Sequence, residues 1–276
     1  MELKDLKTVR YEVDDDGVAT VTLARPHRNN AWTGRMHAEY RWCLARAERN
    51  PAVRVVVVTG EGNSFCVGAD AAALTKHAEA GVYDAGLPSE VAHPGHGVRD
   101  EFDHDLVWHY GLRFPVIMAI NGACAGVGMA LACFADLRYA VAGAKITTAA
   151  PRLGLPAEYG LSWVLPRLIG VTRAADLLLT GRIVTAEEAA EIGLINGVLP
   201  SVPELLDHVG ALAHRLATEV SPSALRATKH QLYDDLLRFD VGASVEEATS
   251  LMSEMMGGAD FAEGVAALLA KRPPRF

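Results

Sequence analysis

Two glycine-rich stretches hold the residues whose types and spacing could do chemistry. Gly60-Glu61-Gly62-Asn63-Ser64-Phe65-Cys66-Val67-Gly68-Ala69-Asp70 and Asn121-Gly122-Ala123-Cys124-Ala125-Gly126-Val127-Gly128 each follow an apolar run and each lead into a helical segment. Glycine lets a backbone approach its surroundings closely, and a chain entering a helix leaves N–H groups without internal acceptors. Two such corners facing one another would aim two donors at one oxygen, the geometry that stabilises charge developing on a carbonyl. Tight turns alone would use the same glycines, so spacing leaves both readings open. Rival chemistries lack their patterns: the second corner is not GxGxxG, and no GxxxxGK[ST] occurs. Cys43, Cys66, Cys124 and Cys133 form no CxxC pair, and His27, His37, His77, His208, His214 and His230 show no ligand spacing, so neither a metal nor a bound cofactor is expected.

Periodicity shows which elements would hold these corners. Val9-Arg10-Tyr11-Glu12-Val13 and Val18-Ala19-Thr20-Val21-Thr22-Leu23 flank Asp14-Asp15-Asp16-Gly17 and predict a β-hairpin. Met36, Tyr40, Leu44 and Ala47 recur at helical spacing within 33–50, where Pro51 ends the pattern. The run Val53-Arg54-Val55-Val56-Val57-Val58-Thr59 reads as a strand covered on both faces, and Pro115-Val116-Ile117-Met118-Ala119-Ile120 as a second. Each corner thus lies beyond the carboxyl end of a buried strand, where open α/β sheets place ligands. Helices are expected at 71–80, 102–114 and 129–135, and mainly helix from Leu161 onward. Ser221-Pro222 would be N-cap and N1 of one of these, and Asp260 with Glu263 a box-like cap for the last, which sets Phe261, Val265, Leu268 and Leu269 on one stripe. Residues 81–97, broken by Pro88 and Pro94, read as an irregular insertion.

The 276 residues are half hydrophobic and 22% charged, the composition of an ordinary globular protein and not of a disordered or collagenous one; the strand, corner and helix order gives an α/β class with some antiparallel edge. A net charge of −8 opposes a polyphosphate backbone, so nucleic acid is not an expected partner. The charged start Met1-Glu2-Leu3-Lys4-Asp5-Leu6-Lys7 lacks an apolar signal segment, and no run is long enough to span a bilayer; a cytoplasmic protein without membrane association is the expectation. The cysteines sit among apolar residues and read as buried reduced thiols.

At five segments the chain resembles the crotonase superfamily of enoyl-CoA hydratases and isomerases. They are Leu23-Ala24-Arg25-Pro26 with Asn30-Ala31; Ser64 through Asp70; Pro115 through Gly128 with Asp136; Leu179-Thr180-Gly181-Arg182 with Ala189 and Gly193-Leu194-Ile195; and Glu263-Gly264 with Lys271-Arg272-Pro273-Pro274-Arg275-Phe276. The resemblance implies an α/β spiral of ββα units over 1–200, with a helical region over 201–276 that trimerises and is not an independent domain; homotrimers usually pair into hexamers. It implies acyl-CoA thioesters as substrates, with Ala69 and Val127 supplying the two N–H donors. Val127 stands where glycine is common. By the same resemblance the coenzyme A and substrate contacts would come from His27, Arg28, Ala31, Ala69, Asp70, Ala71 and Val127, with Lys271 and Phe276 closing over a neighbour's ligand. Arg28 could equally be a solvated charge, and Phe276 an interface residue.

The family's hydratases carry two glutamates where this chain has Ala130 and Ala150, and neither alanine can move a proton. Glu158, in Leu153-Gly154-Leu155-Pro156-Ala157-Glu158-Tyr159-Gly160-Leu161-Ser162, falls where family isomerases place a single glutamate, although Ala157 and Leu161 depart from that pattern. Burial among Leu155, Tyr159, Leu161 and Trp163 would raise its pKa; a surface residue or a helix cap is the plainer reading. The resemblance therefore implies isomerase-type proton transfer by Glu158. Hydration with unconventional acids, Glu158 together with Glu101 or Asp103, and a CoA-thioester binder without catalysis, are the alternatives. The segment Glu101, Asp103, His104 and Asp105 otherwise reads as a solvated face.

Overall fold

The computed structural model describes residues 2–80 and 100–276, with the backbone alone at 76–78 and 80. The insertion expected at 81–97 lies outside the described residues. Strands β1 (Val9–Val13) and β2 (Val18–Leu23) form the antiparallel hairpin, with Tyr11 opposite Val21, and Asp14 accepts the Asp16 and Val18 N–H groups at the turn. Helix α1 (Gly34–Arg49) starts where the Thr33 side chain accepts the Met36 N–H.

Each later turn of the chain gives one strand to each of two sheets. The first turn is β3 (Val55–Gly60), β4 (Ser64–Cys66) and α2 (Ala71–Ala80); the second is β5 (Val116–Ile120), β6 (Ala123–Ala125) and α3 (Val127–Cys133). The third is β7 (Leu137–Val141), β8 (Lys145–Thr147) and α4 (Leu161–Thr180), followed by β9 (Val184–Thr185), α5 (Ala186–Glu191) and β10 (Gly197–Leu199). One sheet runs β1-β2-β3-β5-β7-β10, parallel beyond the hairpin; the other runs β4-β6-β8-β9, with β9 antiparallel. This is the spiral of ββα turns.

The β-branched runs are covered twice, as their composition requires. Val56, Val58, Met118 and Ile120 enter the main core with Phe65 and Cys124, while Val55, Val57, Ile117 and Ala119 face Leu205, Val209 and Ala213 of α6 (Val202–Thr218). Helix α7 (Pro222–Asp235), N-capped by Ser221, is pinned to the sheet: Lys229 Nζ and the Tyr233 hydroxyl both donate to Asp136, each at 2.8 Å. Helices α8 (Val241–Met255) and α9 (Ala259–Ala270) complete the chain and leave Phe239, Phe261, Leu268 and Leu269 exposed. Among the described residues no helix is long and apolar enough to cross a membrane.

Three expectations need correction. The glycine corners are not loops throughout, because each contains a three-residue strand, β4 or β6. The helix expected at 102–114 is instead two 3-10 turns, Asp100–Phe102 and Val107–Gly111, separated by Leu106 at φ +67. Asp260 does not cap α9, whose N-cap is Gly258; it accepts from the Ser221 and Ser223 hydroxyls, and Glu263 pairs with Arg272. All four cysteines are buried, and burial pushes the Cys66 and Cys133 thiols up to about 12.

Candidate active site

The two glycine corners meet because the β4–β6 pair holds them side by side, Ser64 against Ala123 and Cys66 against Cys124. Gly68 (φ +101) and Gly126 (φ +52) take backbone conformations unfavourable to other residues, and a Cβ on Gly126 would lie 3.5 Å from the Gly68 Cα. Gly128 allows still closer packing, since a Cβ there would sit 2.4 Å from the Cys66 carbonyl oxygen. Asn121 ties the corners together, accepting the Gly60 N–H at 3.0 Å and donating to the Gly62 carbonyl at 2.9 Å.

Val127 is the first residue of α3, so its N–H precedes the helical ladder; the Gly126 carbonyl already takes the Ala130 N–H at 3.0 Å. Ala69 lies in an isolated parallel bridge with Trp32. The Trp32 N–H donates to the Gly68 carbonyl at 2.8 Å and the Asp70 N–H to the Trp32 carbonyl at 2.9 Å, which leaves the Ala69 N–H outside the pairing. Neither the Ala69 nor the Val127 N–H has an acceptor among the described residues.

Glu158 stands in the loop between a 3-10 turn at Ala150–Leu153 and α4. One end of that loop is fixed by the Leu155 N–H donating to the Ala150 carbonyl at 3.0 Å; the other is Gly160, packed on the Phe134 ring at the C-cap of α3. The acid is half-buried and meets no donor or cation among the described residues, and burial raises its pKa above the ordinary 4.5. It is not the cap of α4, whose N-cap is Gly160. Of the residues expected around it, Leu155 is itself exposed and Leu161 buried, while Tyr159 and Trp163 pack on the core. Ala130 and Ala150 are fully buried.

The remaining candidates divide. His27 and Arg28 are exposed on the 3-10 turn Pro26–Arg28, and the Arg28 charge reaches Asp70. Ala31 is buried and its carbonyl accepts from Arg25. The Asp70 carboxylate is committed locally, to Arg25 at 2.9 Å and to the Ala72 N–H at 3.0 Å. Burial alone would raise its pKa, but the Arg25 hydrogen bond, the Ala72 N–H and the Arg25 and Arg28 charges hold it below the ordinary carboxylate value. Ala71 opens α2 and is exposed; Lys271 is the exposed C-cap of α9, and Phe276 borders a groove of its own chain beside Ser223, Phe261 and Leu268. In the segment expected to be a solvated face, Glu101 and His104 are exposed, but Asp105 departs from the expectation, binding the buried His37 at 3.1 Å and Arg41 at 3.3 Å.

Sequence reasoning missed the wall behind Trp32. The rings of Trp32, His37, Trp108, His109 and Tyr40 close a circuit with successive centroids between 5.6 and 5.9 Å apart. His109 bonds the Tyr40 hydroxyl at 2.8 Å; burial, then the Lys229 charge, lowers its pKa from 6.5 to about 3, so the ring is neutral. Only the aromatic content of 102–110 hinted at this.

Comparison with known proteins now bears on the meeting corners. The sequence model of the enoyl-CoA hydratase/isomerase family matches residues 14–276. The chain belongs to the enoyl-CoA hydratase/isomerase family. Among family relatives, a protein named probable enoyl-CoA hydratase from Rhodobacter capsulatus is 36% identical over 269 residues, covering 98% of this chain and 97% of that one. The 1,2-epoxyphenylacetyl-CoA isomerase of Escherichia coli is 34% identical, covering 95% of both chains. The crystal structure of a probable enoyl-CoA hydratase/isomerase from Mycobacterium abscessus matches with a TM-score of 0.85 at 32% identity, over 98% of this chain and 99% of that one. The spiral is thus the crotonase-type fold, and the corners and Glu158 belong to an enoyl-CoA hydratase/isomerase scaffold.

Proposed function

We propose that this chain is an isomerase of acyl-CoA thioesters, shifting a double bond from the 3- to the 2-position of an enoyl-CoA with Glu158 as the only proton carrier. The observation that carries the proposal is a half-buried carboxylate without a partner among the described residues, its pKa raised by burial; it is supported by the family resemblance, which would set Ala130 and Ala150, neither able to move a proton, where hydratases carry their two glutamates. A stronger base in a drier site suits abstraction of a proton alpha to a carbonyl.

Glu158 takes the proton from C2, and the freed electron pair enters the carbonyl system as a dienolate. The charge that gathers on the thioester oxygen meets the Ala69 and Val127 N–H groups, which are preorganised and require no rearrangement. The electron pair then returns, a C2–C3 double bond forms, and protonated Glu158 delivers its proton to C4. Substrate and product differ only in where that proton and double bond lie, so no co-reactant is needed. His27, Arg28, Ala31 and Ala71 would border the coenzyme A, with Arg28 facing its phosphates. The exposed apolar residues Phe239, Phe261, Leu268 and Leu269 support burial against further copies, as a trimer or a pair of trimers. Light scattering on the purified protein tests that assembly.

The decisive assay supplies a 3-enoyl-CoA and follows the 2-enoyl-CoA. Glu158→Gln should lower kcat by about 10²- to 10⁴-fold while coenzyme A binding is kept. The acidic limb of kcat/KM should rise with pH through a midpoint above 4.5, since the deprotonated acid is the active form. Unchanged turnover in the variant overturns the assignment. Hydration of crotonyl-CoA by the wild type would favour a hydratase with substitute acids, and tight acyl-CoA binding without any turnover a non-catalytic binder.

A further inference from the structure

We infer that Arg25 is a positioning residue for the Ala69 donor, its guanidinium fork locking the two chain segments whose pairing aims that N–H. The inference rests on the two-donor reading above and extends it to a residue that does not touch the substrate oxygen.

The pairing that aims Ala69 is short. Its bridge to Trp32 is isolated and consists of the two backbone bonds flanking Ala69, from Trp32 to Gly68 and from Asp70 to Trp32. The Arg25 fork spans this bridge. One terminal nitrogen donates to the carbonyl of Ala31, the residue before Trp32; the other donates to the carboxylate of Asp70, the residue after Ala69. Both side chains of the ion pair are only 16% exposed, where a planar two-pronged donor is least replaceable by a lysine point charge.

Arg25 itself stands on a fixed base. The Asn30 side chain accepts the Arg25 N–H at 2.8 Å, and the Asn30 N–H returns to the Arg25 carbonyl at 3.0 Å. The Asn30 amide also donates to the Glu61 and Ser64 carbonyls, at 3.0 and 2.8 Å, clipping this turn to the first glycine corner. The other Asp70 oxygen accepts the Ala72 N–H, so loss of Arg25 should loosen the bridge without removing the start of α2.

The test uses an aromatic enoyl-CoA whose ultraviolet band moves to the red when its carbonyl is polarised by hydrogen bonds. The wild type should show that shift on binding. Arg25→Met and Arg25→Lys should lose most of it and lower kcat by about 10- to 100-fold, the scale of a donor displaced by an ångström. KM should change by less than about threefold, since the interaction is made mainly in the transition state. Asp70→Asn should act in the same direction and add little to Arg25→Met, because both cut one clamp. Retention of the shift and of kcat within about twofold in a folded variant overturns the inference, as does a lowered Tm with the shift unchanged. If Arg25→Met does not fold, Arg25→Lys and Asp70→Asn decide the matter by the same readouts. Absence of the shift in the wild type overturns the two-donor reading itself.

Discussion

Each corner holds one N–H group without an acceptor among the described residues, that of Val127 or that of Ala69, and the two are held by different physical means. Val127 begins a helix whose seven residues are all buried, with Gly128 pressed on the Cys66 backbone. Ala69 is exposed, and its segment is secured by an isolated bridge, an ion pair and a cap. One donor is fixed by packing, which resists deformation but tolerates no added atoms; the other is fixed by polar contacts, which accept change but respond to solvent. A single substrate oxygen would thus lie between a stiff support and an adjustable one.

The largest effect that could break this contrast is Gly128→Ala. Its Cβ would meet the Cys66 carbonyl at 2.4 Å, so one of the two backbones must move. We expect a loss of about 3 kcal/mol or more in urea unfolding and a collapse of activity; a stable, active variant would show that the Val127 corner is not packed as described.

Acid should strike next, through the wall behind Trp32. His109 has a folded pKa of about 3 against 6.5 when unfolded, so its contribution to stability is complete above 6.5 and is lost as pH falls toward 3. The urea midpoint should therefore drop between pH 7 and pH 4, and His109→Gln should flatten that slope. An equal slope in the variant would assign the acid sensitivity elsewhere.

Gly68→Ala should cost less than Gly128→Ala. The added Cβ would lie 3.4 Å from the Ala125 carbonyl, an ordinary contact, so the cost is that of φ +101, about 1–3 kcal/mol. Activity should suffer more than stability, because the strain falls beside the Ala69 donor. The smallest effect is ionic. Raising salt should weaken the partly exposed Arg25–Asp70 pair by under about 1 kcal/mol and slow turnover slightly, with no matching change in Arg25→Met.

Much of this arrangement could be read from the chain. The unbroken Val55–Thr59 run announced a doubly covered strand because β-branched residues on both faces need two partners, and the glycines marked where backbones must touch. Strands β4 and β6 escaped notice because three residues are too few to display a period. The polar contacts escaped for another reason: Arg25 finds Asp70 across 45 residues, His37 finds Asp105 across 68, and Asp260 finds Ser221 across 39. Side chains that fit several local roles reveal a partner only when the chain is folded. That is why Asp260 looked like a cap and Asp105 like a solvated charge. Glu158 was legible by its place in a familiar segment, whereas its lack of a counter-ion among the described residues emerged only in three dimensions.

The four buried thiols give the molecule an internal clock. Their raised pKa values leave almost no thiolate in the native state, so an alkylating reagent can mark them only when the surrounding structure opens. Mass spectrometry after timed labelling would then read opening region by region, with Cys66 and Cys124 timing the strands beneath the corners and Cys43 timing α1.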